Sequence, residues 1–186
     1  MNSYQFQQIQ MTILICPGIH PPELTQSFIE NLGLTLCDRL LILPPTIPPY
    51  SGIDVLNFLN KNGDRSSPLL FLAFSAGVVG AILAALAWQI QGGTIRALIA
   101  LDGWGVPLAG NFPLYRLSHD YFTHWSGALL GSGEQSFYAD PGVEHWELWR
   151  SPNTVTGWHQ TGNHKTRCYA HEFLLELLQP YDGYTV

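Results

Sequence analysis

Leu69-Leu70-Phe71-Leu72-Ala73-Phe74-Ser75-Ala76-Gly77 is the stretch that decides the fold. Six apolar residues in a row predict a strand buried on both faces, as in the centre of a parallel sheet. Ala76 then opens an apolar, alanine-rich run to about Gln91, where Gly92-Gly93 stop it. The order is therefore strand, sharp turn at Ser75, helix.

The same alternation extends outward on both sides. Upstream, Thr12 to Cys16 reads as a strand and is followed by the loop Pro17-Gly18-Ile19-His20-Pro21-Pro22. Leu24, Phe28, Ile29 and Leu32 then recur at helical spacing up to Gly33. A second strand, Leu40 to Leu43, ends in a loop with four prolines (Pro44, Pro45, Pro48, Pro49), and Ile53, Leu56 and Leu59 suggest a short helix. Downstream, a strand from Ile95 to Leu101 delivers Asp102 at its carboxyl end, where open α/β sheets bind their ligands. Such alternation predicts an α/β fold, a three-layer α/β/α sandwich with a mostly parallel sheet. From Trp104 to Trp158 aromatic residues crowd together and the rhythm fades, which predicts loops and short helices forming a pocket wall. Phe173, Leu174 and Leu177 mark a final amphipathic helix within Cys168 to Leu178. Without repeats or a linker, residues 1–186 read as one domain.

Composition narrows the partners. The chain of 186 residues is 46% hydrophobic and 12% charged, with a formal net charge of −6. Its few Lys and Arg are scattered, so it lacks the basic footprint of a nucleic-acid binder. Cys16, Cys37 and Cys168 show no zinc or redox spacing and read as reduced core residues. No Lys or Arg precedes Arg39, so the charged start of a secretory signal is missing and a cytoplasmic address is expected. The uncharged stretch from Pro68 to Ile90 is long enough to span a bilayer. Ser75, Gly77 and Gly80 in its middle and the lack of a basic flank favour a buried strand and helix over a membrane span.

The turn at Ser75 carries the chemistry. A serine hydroxyl attacks a carbonyl only when it stands clear of the backbone and a base takes its proton. A tight strand-turn-helix does the first, provided the residues two before and two after the serine are small, a pattern written GxSxG. Here it reads Ala73-Phe74-Ser75-Ala76-Gly77, with alanine in place of the first glycine.

On these residues the chain resembles the α/β-hydrolase superfamily, in particular its small esterases and lipases without a large cap. The resemblance implies Ser75 as nucleophile, with one oxyanion donor at Ala76 and another at Ile19, after the Pro17-Gly18 pair. It implies a triad acid at Asp102, since Leu101-Asp102-Gly103 looks like the acid-bearing segment of pancreatic-type lipases; Asp140 and Asp120 stand as alternatives. It implies a late histidine as base: His145, in the turn Pro141-Gly142-Val143-Glu144-His145-Trp146, with His124, His159 and His164 as alternatives. The expected activity is hydrolysis of a small ester or thioester with an apolar or aromatic acyl group through an acyl-serine, with no cofactor and no metal. Two other readings remain: an inactive hydrolase-like binding scaffold, and a metal-dependent hydrolase built on His119, Asp120 and His124.

Overall fold

A computed structural model describes residues 11–37, 39–131 and 133–182. Its strands are β1 (Thr12–Cys16), β2 (Leu40–Ile42), β3 (Leu69–Phe74), β4 (Ile95–Leu101), β5 (Leu114–Ser118), β6 (Gln135–Ala139), β7 (Thr156–Thr161) and β8 (His164–Tyr169). Its helices are α1 (Pro22–Asn31), α2 (Gly52–Asn62), α3 (Ala76–Ile90), α4 (Tyr121–Ala128), α5 (His145–Arg150) and α6 (Ala170–Asp182). The strands form one sheet in the order β2-β1-β3-β4-β5-β6-β7-β8, parallel from β2 through β6 and antiparallel in the last two pairings.

Alternation along each central strand builds two cores. Ile13, Ile15, Leu70, Leu72 and Phe74 face one way, against Phe28, Trp149, Phe173 and Leu174 of α1, α5 and α6. Leu14, Cys16, Phe71 and Ala73 face the other way, against Val55 and Leu59 of α2 and Val78, Ala81 and Trp88 of α3. Both faces of β1 and β3 are thus dry, which is why their sequences hold almost nothing but apolar residues. The uncharged stretch from Pro68 to Ile90 divides into β3 and the 15-residue α3, and no helix among the described residues is long and apolar enough to cross a membrane.

The region after Leu101 differs from its expectation. Besides the expected loops and short helices, it supplies β5 and β6 to the parallel sheet and ends in the β7–β8 hairpin. Arg116 and Ser118 are buried in β5 and Ser136 in β6, so the apolar runs that betray central strands are broken here. In β8, His164, Lys165, Thr166 and Arg167 are all exposed, as suits an edge strand.

Strand order also locates the site. The chain moves outward from β1 to β2 and then crosses back to β3 on the other side, so crossovers diverge at the carboxyl ends of β1 and β3. Doubly wound sheets bind ligands at such a divergence. Ser75 follows β3 and the Pro17-to-Pro22 loop follows β1.

Candidate active site

Ser75 takes φ 52°, ψ −122°, a conformation that strains any residue with a Cβ. The neighbouring backbone holds it there: its N–H donates to the carbonyl of Leu101 at 2.9 Å, and its own carbonyl accepts from Val78 at 3.1 Å. Small residues surround the bend because the first strand runs against it. A Cβ on Gly77 would stand 2.1 Å from the Cys16 carbonyl oxygen, and one on Gly18 would stand 3.0 Å from the Ser75 Cβ. Ala73 occupies the position where the motif has glycine, paired between Cys16 and Ala100 and fully buried, so a methyl group is accommodated there.

Three segments then converge on the bend. His145, the first residue of α5, places Nε2 3.1 Å from Ser75 Oγ and Nδ1 2.9 Å from Asp102 Oδ2. Asp102 follows β4 at φ 51°, with its side chain 1% exposed. Its N–H donates to Leu117 at 2.8 Å, which draws the end of β5 alongside and brings His119 to the same carboxylate. The His119 backbone N–H donates to Asp102 Oδ1 at 2.8 Å, and its Nδ1 lies 3.0 Å from Oδ2. That bond holds the His119 imidazole above its ordinary titration range, against the opposing effect of its partial burial.

Asp102, His119 and His145 offer three ligand-type atoms within 4.8 Å of one another. The N-to-O separations of 2.9 and 3.0 Å are hydrogen-bond lengths, below the roughly 3.3 Å edges of a tetrahedral zinc site with bonds near 2.0 Å. The arrangement is that of two ring N–H groups donating to one carboxylate oxygen.

A ring column supports His145. His145 stacks on Phe74 at 4.6 Å, Phe74 on Trp149 at 5.0 Å, and Trp149 on Phe28 of α1 at 3.7 Å. Phe74 is only a variable position in the serine motif, and nothing in the sequence marks it as the platform of His145.

Of the residues expected at the site, Ser75, Asp102 and His145 meet. Ala76 lines the same cleft as Ser75 and heads α3, so its N–H has no acceptor one turn back. Ile19 sits on the β1 loop, its side chain exposed, lining a neighbouring apolar cleft. The alternatives lie elsewhere. Asp140 is exposed and paired with Arg167 at 3.0 Å and with the Trp158 indole at 2.8 Å. Asp120 caps α4 by accepting from Thr123 at 2.7 Å. His124 is buried with its ring 4.7 Å from Tyr138, His159 binds Gln135, and His164 is on the exposed edge strand. Consequently His119, Asp120 and His124 do not converge as an ion site: His119 turns to Asp102 and His124 turns away to Tyr138. The part of His119 in the Ser75 constellation was missed, since only the unrecognised strand β5 brings it there.

Around the Ser75 hydroxyl opens a cleft of about 480 Å³ walled by Val79, Trp104, Val106 and Phe122. Beneath one wall, the buried Arg116 guanidinium donates to the carbonyls of Gly103, Val106, Leu130 and Gly131. Burial pushes its pKa down to about 10. Compared with known protein families and with curated proteins, the chain matches none.

Proposed function

We propose that this chain is a serine hydrolase of the α/β-hydrolase type, cleaving a carboxylic ester or thioester through an acyl-serine intermediate. The observation that carries the reading is the unbroken relay from Ser75 Oγ to His145 Nε2 at 3.1 Å and from His145 Nδ1 to Asp102 Oδ2 at 2.9 Å. A strained serine, an imidazole and a buried carboxylate from three distant segments have no shared structural need to align.

In this mechanism Ser75 Oγ attacks the substrate carbonyl carbon as its proton passes to His145 Nε2. Asp102 holds the Nδ1–H tautomer and stabilises the imidazolium that forms. The N–H of Ala76, at the positive end of α3, and the N–H of Ile19 receive the developing oxyanion. His145 then protonates the leaving oxygen or sulfur, and the tetrahedral intermediate collapses to the acyl-serine. Water, deprotonated by the same nitrogen, releases the acid and restores Ser75.

The cleft walls, Val79, Trp104, Val106 and Phe122, favour an apolar or aromatic acyl group. No step calls on a cofactor. A reducing cytoplasmic setting goes with the reading, since Cys16, Cys37 and Cys168 form no disulfide.

The test is turnover of p-nitrophenyl butyrate together with labelling by a fluorophosphonate probe. Wild-type protein is expected to do both, and Ser75→Ala to lose labelling and roughly 10⁶-fold in turnover, as triad serines do. Equal turnover by the variant would overturn the reading.

A further inference from the structure

Two imidazoles address one oxygen of Asp102, and a serine relay needs only one. We propose that His119 is a positioning residue of this relay: by gripping Asp102 through its backbone N–H and its ring, it aims the carboxylate at His145 and sets how much of its charge the base receives. The proposal rests on Ser75 and His145 being nucleophile and base.

The grip is two-handed. Oδ1 accepts from the His119 backbone N–H at 2.8 Å, which fixes the carboxylate plane. Oδ2 is left to the two rings, with His119 Nδ1 at 3.0 Å and His145 Nδ1 at 2.9 Å. The rings stand edge to face, 80° apart with centroids 5.7 Å apart, so neither displaces the other. Because the Asp102 side chain is 1% exposed, solvent screens its charge poorly, and what one ring takes the other feels.

Ionisable groups face His119 from three directions: Asp102 at the end of β4, Asp120 ahead of α4 with Oδ2 3.7 Å from Nε2, and Glu144 and His145 at the start of α5. The three carboxylates favour a proton on His119. That proton offsets the charge of Asp102 and sets a second cation beside the imidazolium that catalysis must form. A proton on either ring therefore hinders the base by like-charge repulsion.

Two substitutions separate the functions of His119. His119→Asn keeps a donor near the Nδ1 position but cannot titrate, and His119→Phe keeps the ring but cannot donate. In wild-type protein the acid limb of kcat/KM for p-nitrophenyl butyrate is expected to be steeper than one proton, and in His119→Asn to become a one-proton limb. His119→Phe is expected to lose roughly 10- to 100-fold in kcat with KM little changed, as a loosened carboxylate misplaces the base, and His119→Asn to recover most of that loss. If His119→Phe does not fold, the pH profile of His119→Asn still decides. An unchanged steep limb in His119→Asn, or wild-type kcat in His119→Phe, overturns the proposal.

NMR titration of the His119 ring in Ser75→Ala protein reads the contact without turnover. The ring is expected to titrate above the ordinary imidazole range there, and to fall back when Asp102→Asn is added. Identical titrations in both proteins would overturn the positioning role even if esterase activity is found. Failure of wild-type protein to turn over esters and to take up fluorophosphonate would instead sink the hydrolase reading, and this proposal with it.

Discussion

Gly77 presses its α-carbon so close to the end of β1 that a Cβ there would lie 2.1 Å from the carbonyl oxygen of Cys16 and 2.6 Å from that of Pro17. This contact ties the bend at Ser75 to the loop that carries Ile19. Backbone atoms cannot yield as a flexible side chain does, so Gly77→Ala must move either the bend or the loop. It is expected to cost about 1–3 kcal/mol of stability and roughly 100-fold in esterase kcat, by denaturant unfolding and initial rates. Gly127→Ala is the control: inside α4 with an Arg116 nitrogen at 3.6 Å, it should leave kcat nearly unchanged and raise stability by about 0.5–1 kcal/mol.

Strain at Ser75 predicts a gain in stability on its removal. Glycine adopts φ 52° without the clash a Cβ brings, so Ser75→Gly should release about 1–3 kcal/mol of strain. Offset by the greater freedom of glycine in the unfolded chain, the net gain is about 1 kcal/mol. A rise of about 2–4 °C in Tm would register it. Ser75→Ala retains the Cβ and should gain less, while both variants lose esterase turnover.

Asp102 and Asp140 were both candidate acids, and their surroundings separate them. Asp102→Asn is expected to lower kcat by roughly 10⁴-fold, as when an amide replaces the triad carboxylate and favours the wrong imidazole tautomer. Asp140→Asn should leave kcat within about twofold, because its partners Arg167 and Trp158 are a surface matter. Equal losses in the two variants would contradict the assignment of the acid.

Arg116 holds the cleft wall from below through bonds to four carbonyls. Gly103 and Leu130 also accept from the N–H groups of Val106 and Leu108, so Arg116→Met should strand the carbonyls of Val106 and Gly131, at about 1–3 kcal/mol for each one left buried without a donor. Arg116→Lys should recover only part of the loss, since a single ammonium cannot reach the positions a guanidinium fork spans. Urea unfolding measures the first effect. A raised KM for aryl esters would show that Trp104 and Val106 have shifted.

Burial lowers the titration of His124, and the neighbouring Lys165 and Arg116 add to the effect. Its folded form therefore binds a proton less readily than the unfolded chain. The stability tied to neutral His124 is present above the ordinary imidazole range and is lost as pH falls through it. Thermal melts between pH 7.5 and 5.5 should show Tm falling, with a smaller fall in His124→Phe. His119 acts with the opposite sign, its stabilising share being lost as pH rises through its raised folded value.

The central strands were legible because burial on both faces forbids polar residues. Thr12–Cys16, Leu69–Phe74 and Ile95–Leu101 have the ends that their apolar runs predict. Strands β5 and β6 were not legible, since buried Arg116, Ser118 and Ser136 interrupt the apolar runs by which a central strand is recognised. The same divide runs through the site. Ser75 and Asp102 stand just beyond strands that could be recognised, and His145 opens a short helix after a turn. His119 follows β5, and without that strand its only visible companions were Asp120 and His124 along the chain. Phe74 shows a different limit: stacking on His145 is a relation across 71 positions, invisible in either residue's neighbours.

The two rims of the sheet differ in length and dress. On one side β2 offers only three residues, and on the other β8 shows a histidine, a lysine and an arginine to water. Neither presents a long flat ribbon of unclaimed amides onto which a second molecule could zip. A chain whose middle is so oily thus keeps its long apolar strands in the interior, and only the three residues of β2 bring such a sequence to a rim.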